Sequence, residues 1–282
     1  MTGSLKLYRT ARGAVLEADG GFFVLKDVWD VLLNRRGLAA YLKRAAARGR
    51  RGARIGGRLL APCVAQEVWG AGVTYDRSRT ARMDESQAAG GGGGGGASFY
   101  DREYSAERPE LFFKCPGWRA RGSGQPVRIR KDARWSVPEP ELAVVANSRG
   151  QIVGYTIGND LSARDIEAEN PLYLPQAKIW DGACALGPAV LVREEPLPPE
   201  TEIALRVVRQ GKNAIAGGTT LARMRRPFEE LVRYLFRETS FPAGCLLLTG
   251  TGIVPPDDFT LRAGDEIEIT VPEIGTLRNR VA

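Results

Sequence analysis

No histidine occurs among the 282 residues. That absence excludes His-based dyads and triads, His-ligated metals and the HExxH arrangement. Acid–base work must fall to Asp, Glu, Lys, Tyr, Cys or water. Cysteine is scarce. Cys63, Cys115, Cys184 and Cys245 lie far apart and form no CxxC, so a disulfide frame and a zinc site are both unexpected. Reduced thiols in a cytoplasmic protein are the expectation. No apolar run nears the ~20 residues of a membrane-spanning helix. Residues 1–10 lack the apolar core of a signal peptide. No membrane partner is expected.

What is present is ordinary for a globular chain: 43% hydrophobic and 26% charged residues, enough to bury a core without staples. At ~100–200 residues per domain, the length suggests one large domain, or one with a small appendage. The net charge is +7, and the densest basic run is Lys43, Arg44, Arg48, Arg50, Arg51 and Arg54. A nucleic-acid-binding protein is the reading this charge raises from a different functional class. No aromatics interleave the run and no DNA-binding spacing accompanies it. A solvated helix end and linker fits better, and no nucleic-acid partner is expected.

The chain divides into a small N-terminal α+β module, residues 1–58, and a strand-rich body, residues 59–282. In the first part Ser4–Arg9, Ala14–Ala18 and Phe22–Leu25 read as strands. From Asp27 onward the apolar residues take helical spacing, interrupted at Gly37. Arg48–Arg58 reads as a linker. In the body, Leu142–Asn147, Gln151–Ile157, Cys184–Val192, Glu202–Arg209, Cys245–Leu248 and Glu266–Val271 read as strands. One helix is expected after Asp160 and another over Pro227–Phe236, with the proline at its first position. Many strands and few helices predict a mixed, β-rich, mostly antiparallel architecture. Seven glycines in a row, Gly90–Gly96, fit either a surface loop or the hinge of a lid over a site.

The chemistry gathers around Pro138-Glu139-Pro140-Glu141-Leu142-Ala143-Val144-Val145. In extended chain, residues i and i+2 share a face, so Glu139 and Glu141 project together. The prolines predict an edge or rim for this segment. Neighbouring carboxylates repel unless one is protonated or a cation lies between them, and oxygen ligands suit hard divalent ions. A hairpin turning at Ser148–Gly150 would bring Asp160 back to the pair. A solvated strand edge is the alternative for the Glu-x-Glu alone; the return to Asp160 favours a metal site.

These residues carry a resemblance. Glu139-Pro140-Glu141-Leu142-Ala143-Val144-Val145 is followed by Gly154-Tyr155-Thr156-Ile157-Gly158-Asn159-Asp160-Leu161-Ser162-Ala163-Arg164-Asp165. Further on come Gln176-Ala177-Lys178-Ile179-Trp180-Asp181, then Leu186-Gly187-Pro188, and Leu248-Thr249-Gly250-Thr251-Gly252. In this order they resemble the fumarylacetoacetate hydrolase superfamily, over residues 62–282. The stretches 66–75, 107–114, 169–175 and 252–256 resemble its sugar-acid branch, the 2-keto-3-deoxy-pentonate (arabinonate or xylonate) dehydratases.

The resemblance implies a β-sandwich roll, a homodimer or homotetramer, and Mg²⁺ (with Mn²⁺ or Ca²⁺ as alternatives) on Glu139, Glu141 and Asp160. It implies a small anionic 2-keto acid substrate and a Mg-dependent hydro-lyase reaction. Water would leave by way of a metal-stabilised enolate, giving a 2,5-dioxo acid. Lys178 and Glu110 are its acid–base candidates; a surface ammonium and a surface carboxylate are the plainer alternatives. Arg77, Ser78, Arg164 and Thr251 are the substrate-binding candidates, Thr251 otherwise being a turn residue. The carbon–carbon hydrolases of the superfamily use a His–Glu pair, which a chain without histidine cannot supply. A dehydratase needs no activated attacking water. Another activity of the superfamily (hydratase, isomerase or acylpyruvate hydrolase) is the alternative within it.

Overall fold

The computed structural model describes residues 4–52, 55–77, 80 and 104–282. Gly90–Gly96, Ser78 and Arg79 lie outside the described residues, so the lid expectation does too.

The strands are β1 (Leu5–Thr10), β2 (Gly13–Ala18), β3 (Gly21–Leu25), β4 (Glu67–Ala71), β5 (Leu111–Pro116), β6 (Ser136–Val137), β7 (Pro140–Ala146) and β8 (Ile152–Asp160). They continue with β9 (Ser162–Ala163), β10 (Cys184–Val192), β11 (Glu202–Arg209), β12 (Lys212–Thr220), β13 (Cys245–Leu248), β14 (Glu266–Val271) and β15 (Gly275–Arg280). The helices are α1 (Trp29–Leu33), α2 (Leu38–Arg48), α3 (Arg164–Glu169), α4 (Leu174–Lys178) and α5 (Phe228–Leu235). Pro227 caps α5 from outside rather than opening it.

A nine-stranded sheet runs β3-β2-β1-β10-β8-β7-β13-β4-β5, and a four-stranded sheet runs β12-β11-β14-β15. Among these named strands only β13 and β4 pair in parallel. The mostly antiparallel, β-rich expectation holds.

β7 shows why its sequence is apolar without alternation. It lies inside the large sheet, with β8 on one side and β13 on the other. Leu142, Val144 and Ala146 join the core that also holds Ile203, Leu205 and Val207 of β11 and Ile267 and Ile269 of β14. Ala143 and Val145 face the opposite core, with Leu7, Leu16, Leu32 and Leu42. A strand buried on both faces reads as a continuous apolar run. Of the edge or rim expected from Pro138 and Pro140, the edge is not found, while the segment does lie at the strand's end, beside the pocket. Pro140 is the first residue of a central strand, a place where a missing N–H is tolerated.

The opening 58 residues form no sheet of their own. β1 pairs with β10, Lys6 opposite Leu191. The Arg/Gly stretch is bonded back to these strands: Ala11 N–H donates to Arg58 O at 3.0 Å and Gly52 N–H to Phe22 O at 2.7 Å. Lys43, Arg44 and Arg48 lie exposed on α2. No helix among the described residues is long and apolar enough to cross a membrane.

Leu7 is fully buried in the core shared by the opening strands and the central hairpin. Leu7→Ala should cost about 2–5 kcal/mol. In urea melts, circular dichroism and tryptophan fluorescence should shift together, as one cooperative unit requires. Two separated transitions would mark residues 1–58 as an independent unit.

Candidate active site

The hairpin β7–β8 sets the site by register. Pro140 lies opposite Asn159 and Glu141 opposite Gly158. One step outward, Asp160 N–H donates to Glu139 O at 3.0 Å. Glu139, Glu141 and Asp160 thus arrive together, each 4% exposed or less. A ligand oxygen from each lies within 4.8 Å of the others. The donor set is all carboxylate oxygen, which fits a hard divalent cation and not a soft one.

Three cations enclose the triad. Lys178, the last residue of α4, donates to Glu139 Oε2 at 2.7 Å and to Ser162 Oγ at 2.6 Å. It also lies 3.4 Å from Asp160 Oδ2 and 3.7 Å from Glu167 Oε1. Arg164, the first residue of α3, donates to Glu139 Oε1 at 2.9 Å. Lys114 of β5 is ion-paired to Asp160 Oδ1. Its ammonium also donates to Leu161 O at 2.9 Å and to Lys178 O at 2.5 Å.

With Glu167, four carboxylates face three cations, all buried. Glu141 meets the imbalance. Burial first, then the charges of Asp160 and Glu139, push its carboxyl well above the usual range; the Gly250 N–H and Lys178 oppose this. The Gly250 N–H donates to Glu141 Oε2 at 2.6 Å. Gly250 sits at φ +92°, and a Cβ there would collide with Thr74 Oγ1.

Glu139, Glu141, Asp160, Lys178, Arg164 and Thr251 line one small pocket, together with Gly72, Phe112 and Gly250. Glu110 is not part of that lining; its carboxylate packs against Gly72, so close that any Cβ there would overlap it. The Thr251 hydroxyl already donates to Ile253 O at 3.2 Å, so it acts as a turn residue as well as lining the pocket. Arg77 is exposed and is not part of the lining. Ser78 lies outside the described residues.

Lys114, Ser162, Glu167 and Gly250 belong to this cluster and were not picked out by sequence reasoning as site residues. Lys114 carried a signal: it is the one charged residue in the strand Leu111-Phe112-Phe113-Lys114-Cys115. The four cysteines are free and buried, as reduced thiols should be.

A β-rich fold with an all-carboxylate cation site, ringed by lysine and arginine at the end of a central hairpin, defines the class. The family follows from comparison with known proteins. The profile described as fumarylacetoacetate (FAA) hydrolase C-terminal matches residues 85–282. The chain belongs to the fumarylacetoacetate hydrolase family.

It is 45% identical over 221 residues to the 2-dehydro-3-deoxy-D-arabinonate dehydratase of Saccharolobus solfataricus, covering 78% of this chain and 73% of that protein. It is 44% identical, over the same shares, to a probable 2-keto-3-deoxyxylonate dehydratase of Haloferax volcanii. A solved structure of 2-keto-3-deoxy-D-arabinonate dehydratase, complexed with magnesium and 2,5-dioxopentanoate, superposes with a TM-score of 0.82. It shows 36% identity and covers 99% of this chain and 98% of that one.

A raised carboxyl pKa makes the folded protein bind more protons than the unfolded chain. Stability of the metal-free protein should therefore fall as pH rises above the ordinary carboxylate range toward the raised value. Metal binding needs Glu141 ionised and should release protons. The stabilisation added by Mg²⁺ in thermal melts should grow with pH over that window. A metal-induced shift independent of pH would show that Glu141 does not carry the proton.

Proposed function

We propose that this protein is a magnesium-dependent hydro-lyase that removes water from a 2-keto-3-deoxy pentonate to give a 2,5-dioxo acid. The observation that carries the reading is the buried triad Glu139, Glu141 and Asp160 with Lys178 donating into it. The similarity to sugar-acid dehydratases over 78% of the chain supports it.

The triad would hold the divalent cation. When bound, that cation supplies Lewis acidity, drawing electron density from the 2-keto group and so acidifying the C3 protons. The remaining work falls to side chains. Lys178 lines the pocket beside Asp160 and Glu139; Glu110 packs against Gly72, a residue of the pocket wall. A proton leaving C3 and a proton reaching the departing C4 hydroxyl thus have separate carriers. After water leaves, the carbon chain tautomerises through a C4–C5 enol to the terminal aldehyde.

Arg164 holds Glu139 by one oxygen and offers its planar fork to the substrate carboxylate. Fully buried Phe112-facing and carboxylate-facing sides of Lys178 leave little room for water around its amine. The reading extends to a homodimer or homotetramer, for which exposed Trp118 and Leu172 offer apolar surface. It extends also to the cytoplasm, supported by the four free thiols.

Incubation with Mg²⁺ and a 2-keto-3-deoxy pentonate should yield a product lighter by one water. Carbon–carbon cleavage products, or no turnover across a panel of such acids, would overturn the reaction. Lys178→Met and Glu110→Gln should each lower kcat by roughly 10²–10⁴-fold at saturating Mg²⁺, as loss of a proton-transfer group does. Near wild-type kcat in both would remove the role assignment while leaving the metal site standing. Glu141→Gln should sharply weaken Mg²⁺ binding in titration calorimetry and abolish turnover.

A further inference from the structure

Each carboxylate of the triad has at least one oxygen held by a partner that is not a metal, and Glu139 has both, since Lys178 donates to its Oε2. Arg164 holds Glu139 Oε1 at 2.9 Å. The Gly250 N–H holds Glu141 Oε2 at 2.6 Å. Lys114 holds Asp160 Oδ1, which is sealed from solvent. The second oxygens of Glu139 and Asp160 face Lys178, which lines the pocket; Lys114 does not.

Lys114 is anchored on three sides, by Asp160, Leu161 O and Lys178 O, with its ammonium 5.4 Å from the centre of the Trp180 ring. It is fully buried. It cannot swing away without leaving two buried carbonyls and a buried carboxylate oxygen unpaired.

We propose that Lys114 is the positioning residue that sets the site's choice of cation, by pinning Asp160 Oδ1 so that Asp160 presents Oδ2 alone. The inference rests on the reading that the triad holds the metal. One oxygen from each of three carboxylates leaves half of an octahedron for water and substrate. That suits Mg²⁺, which demands near-octahedral geometry and a small shell. Ca²⁺ prefers a larger shell filled by bidentate carboxylates. Pinned oxygens deny it those extra contacts. Lys114 also ties the ligand to the catalytic side of the pocket, because the same ammonium holds the carbonyl of Lys178.

Calorimetric titration with MgCl₂ and, separately, CaCl₂ tests this. Removing one positive charge beside the site should tighten both ions, so the ratio of the two affinities is the readout. Lys114→Met should shift that ratio toward Ca²⁺ by about 10–100-fold, the scale on which partners of metal ligands act. Lys114→Arg, which keeps a cation on Oδ1, should restore the wild-type ratio. An unchanged ratio in folded Lys114→Met overturns the proposal, since general loosening of the site would weaken both ions alike.

Should that variant fail to fold, wild-type crystals soaked in MnCl₂ decide. The anomalous peak should lie against Oδ2 of Asp160 with Lys114 still on Oδ1. A peak bridging both oxygens, or Lys114 released from Asp160, overturns the proposal. Absence of Mg²⁺ binding to the wild-type protein would instead overturn the metal-site reading itself.

Discussion

The structure depends on keeping seven ionisable side chains buried together at one end of a β-hairpin. Four carboxylates and three cations (Glu139, Glu141, Asp160 and Glu167 with Lys114, Arg164 and Lys178) are buried together, five of them lining the small pocket. Such a cluster is not a source of net stability, because desolvating charges costs as much as their attraction returns. Removing one partner from a buried pair typically costs about 3–5 kcal/mol. Every one of these groups is therefore tightly constrained, and the surrounding fold must hold them without slack. The carboxylate left without a cation is where the constraint shows. Glu141 holds its proton more tightly than an ordinary glutamate, first because it is buried and then because Asp160 and Glu139 already carry negative charge beside it. A dication replaces that proton and reverses the imbalance. A monoanionic substrate then brings the sum to zero. The charge count alone explains why metal and a carboxylate-bearing substrate belong to the same site.

Rigidity comes from burial on both faces of the hairpin. Side chains of β7 alternate between the core shared with the four-stranded sheet and the core shared with the opening strands and helices. Displacing β7 along its axis by one residue would exchange these two sets and carry Glu141 off the site. The register that matches Pro140 with Asn159 is held by packing on two sides, and the metal geometry follows from it. Gly72 and Gly250 complete the arrangement. Each lets a neighbouring group come closer than a Cβ permits: the Glu110 carboxylate over one and Thr74 against the other.

Much of this was legible in sequence where a residue's chemistry is local. The Glu-x-Glu pair, the tight turn at Ser148–Gly150 and the return to Asp160 follow from period-two geometry, and the hairpin reproduces them. β10, β11, β13 and β14 match the expected strands because their apolar residues face a core. β12 and β15 were not anticipated. They are the outer strands of the four-stranded sheet, with mostly exposed or half-exposed side chains, so little apolar pattern marks them. Lys114, Glu167 and Ser162 went unassigned for a different reason. Their roles arise from contacts with Lys178 across 11 to 64 residues of sequence, which no local spacing encodes. Of the edge or rim expected for Pro138 and Pro140, only the edge failed, because proline constrains only its own N–H. Pro140 stands at the first position of β7, and the strand beyond it is free to lie in the centre of the sheet.

The missing histidine gains its meaning from this geometry. Activating a water for attack on a carbonyl calls for a base within hydrogen-bond reach of a water held beside the substrate. The described pocket offers instead a buried ammonium in its lining, with a glutamate packed behind Gly72. An elimination uses two protons at two carbons of one chain and admits no third reactant. A small pocket lined by Phe112, Gly72, Gly250 and Lys178, with Glu110 packed against Gly72, fits that requirement better than it fits hydrolysis. Excluding water also strengthens each electrostatic contact in the site. The burial that makes the charge cluster costly to build is the same property by which, in the proposed reaction, a lysine and a glutamate would do work that related chemistries assign to histidine.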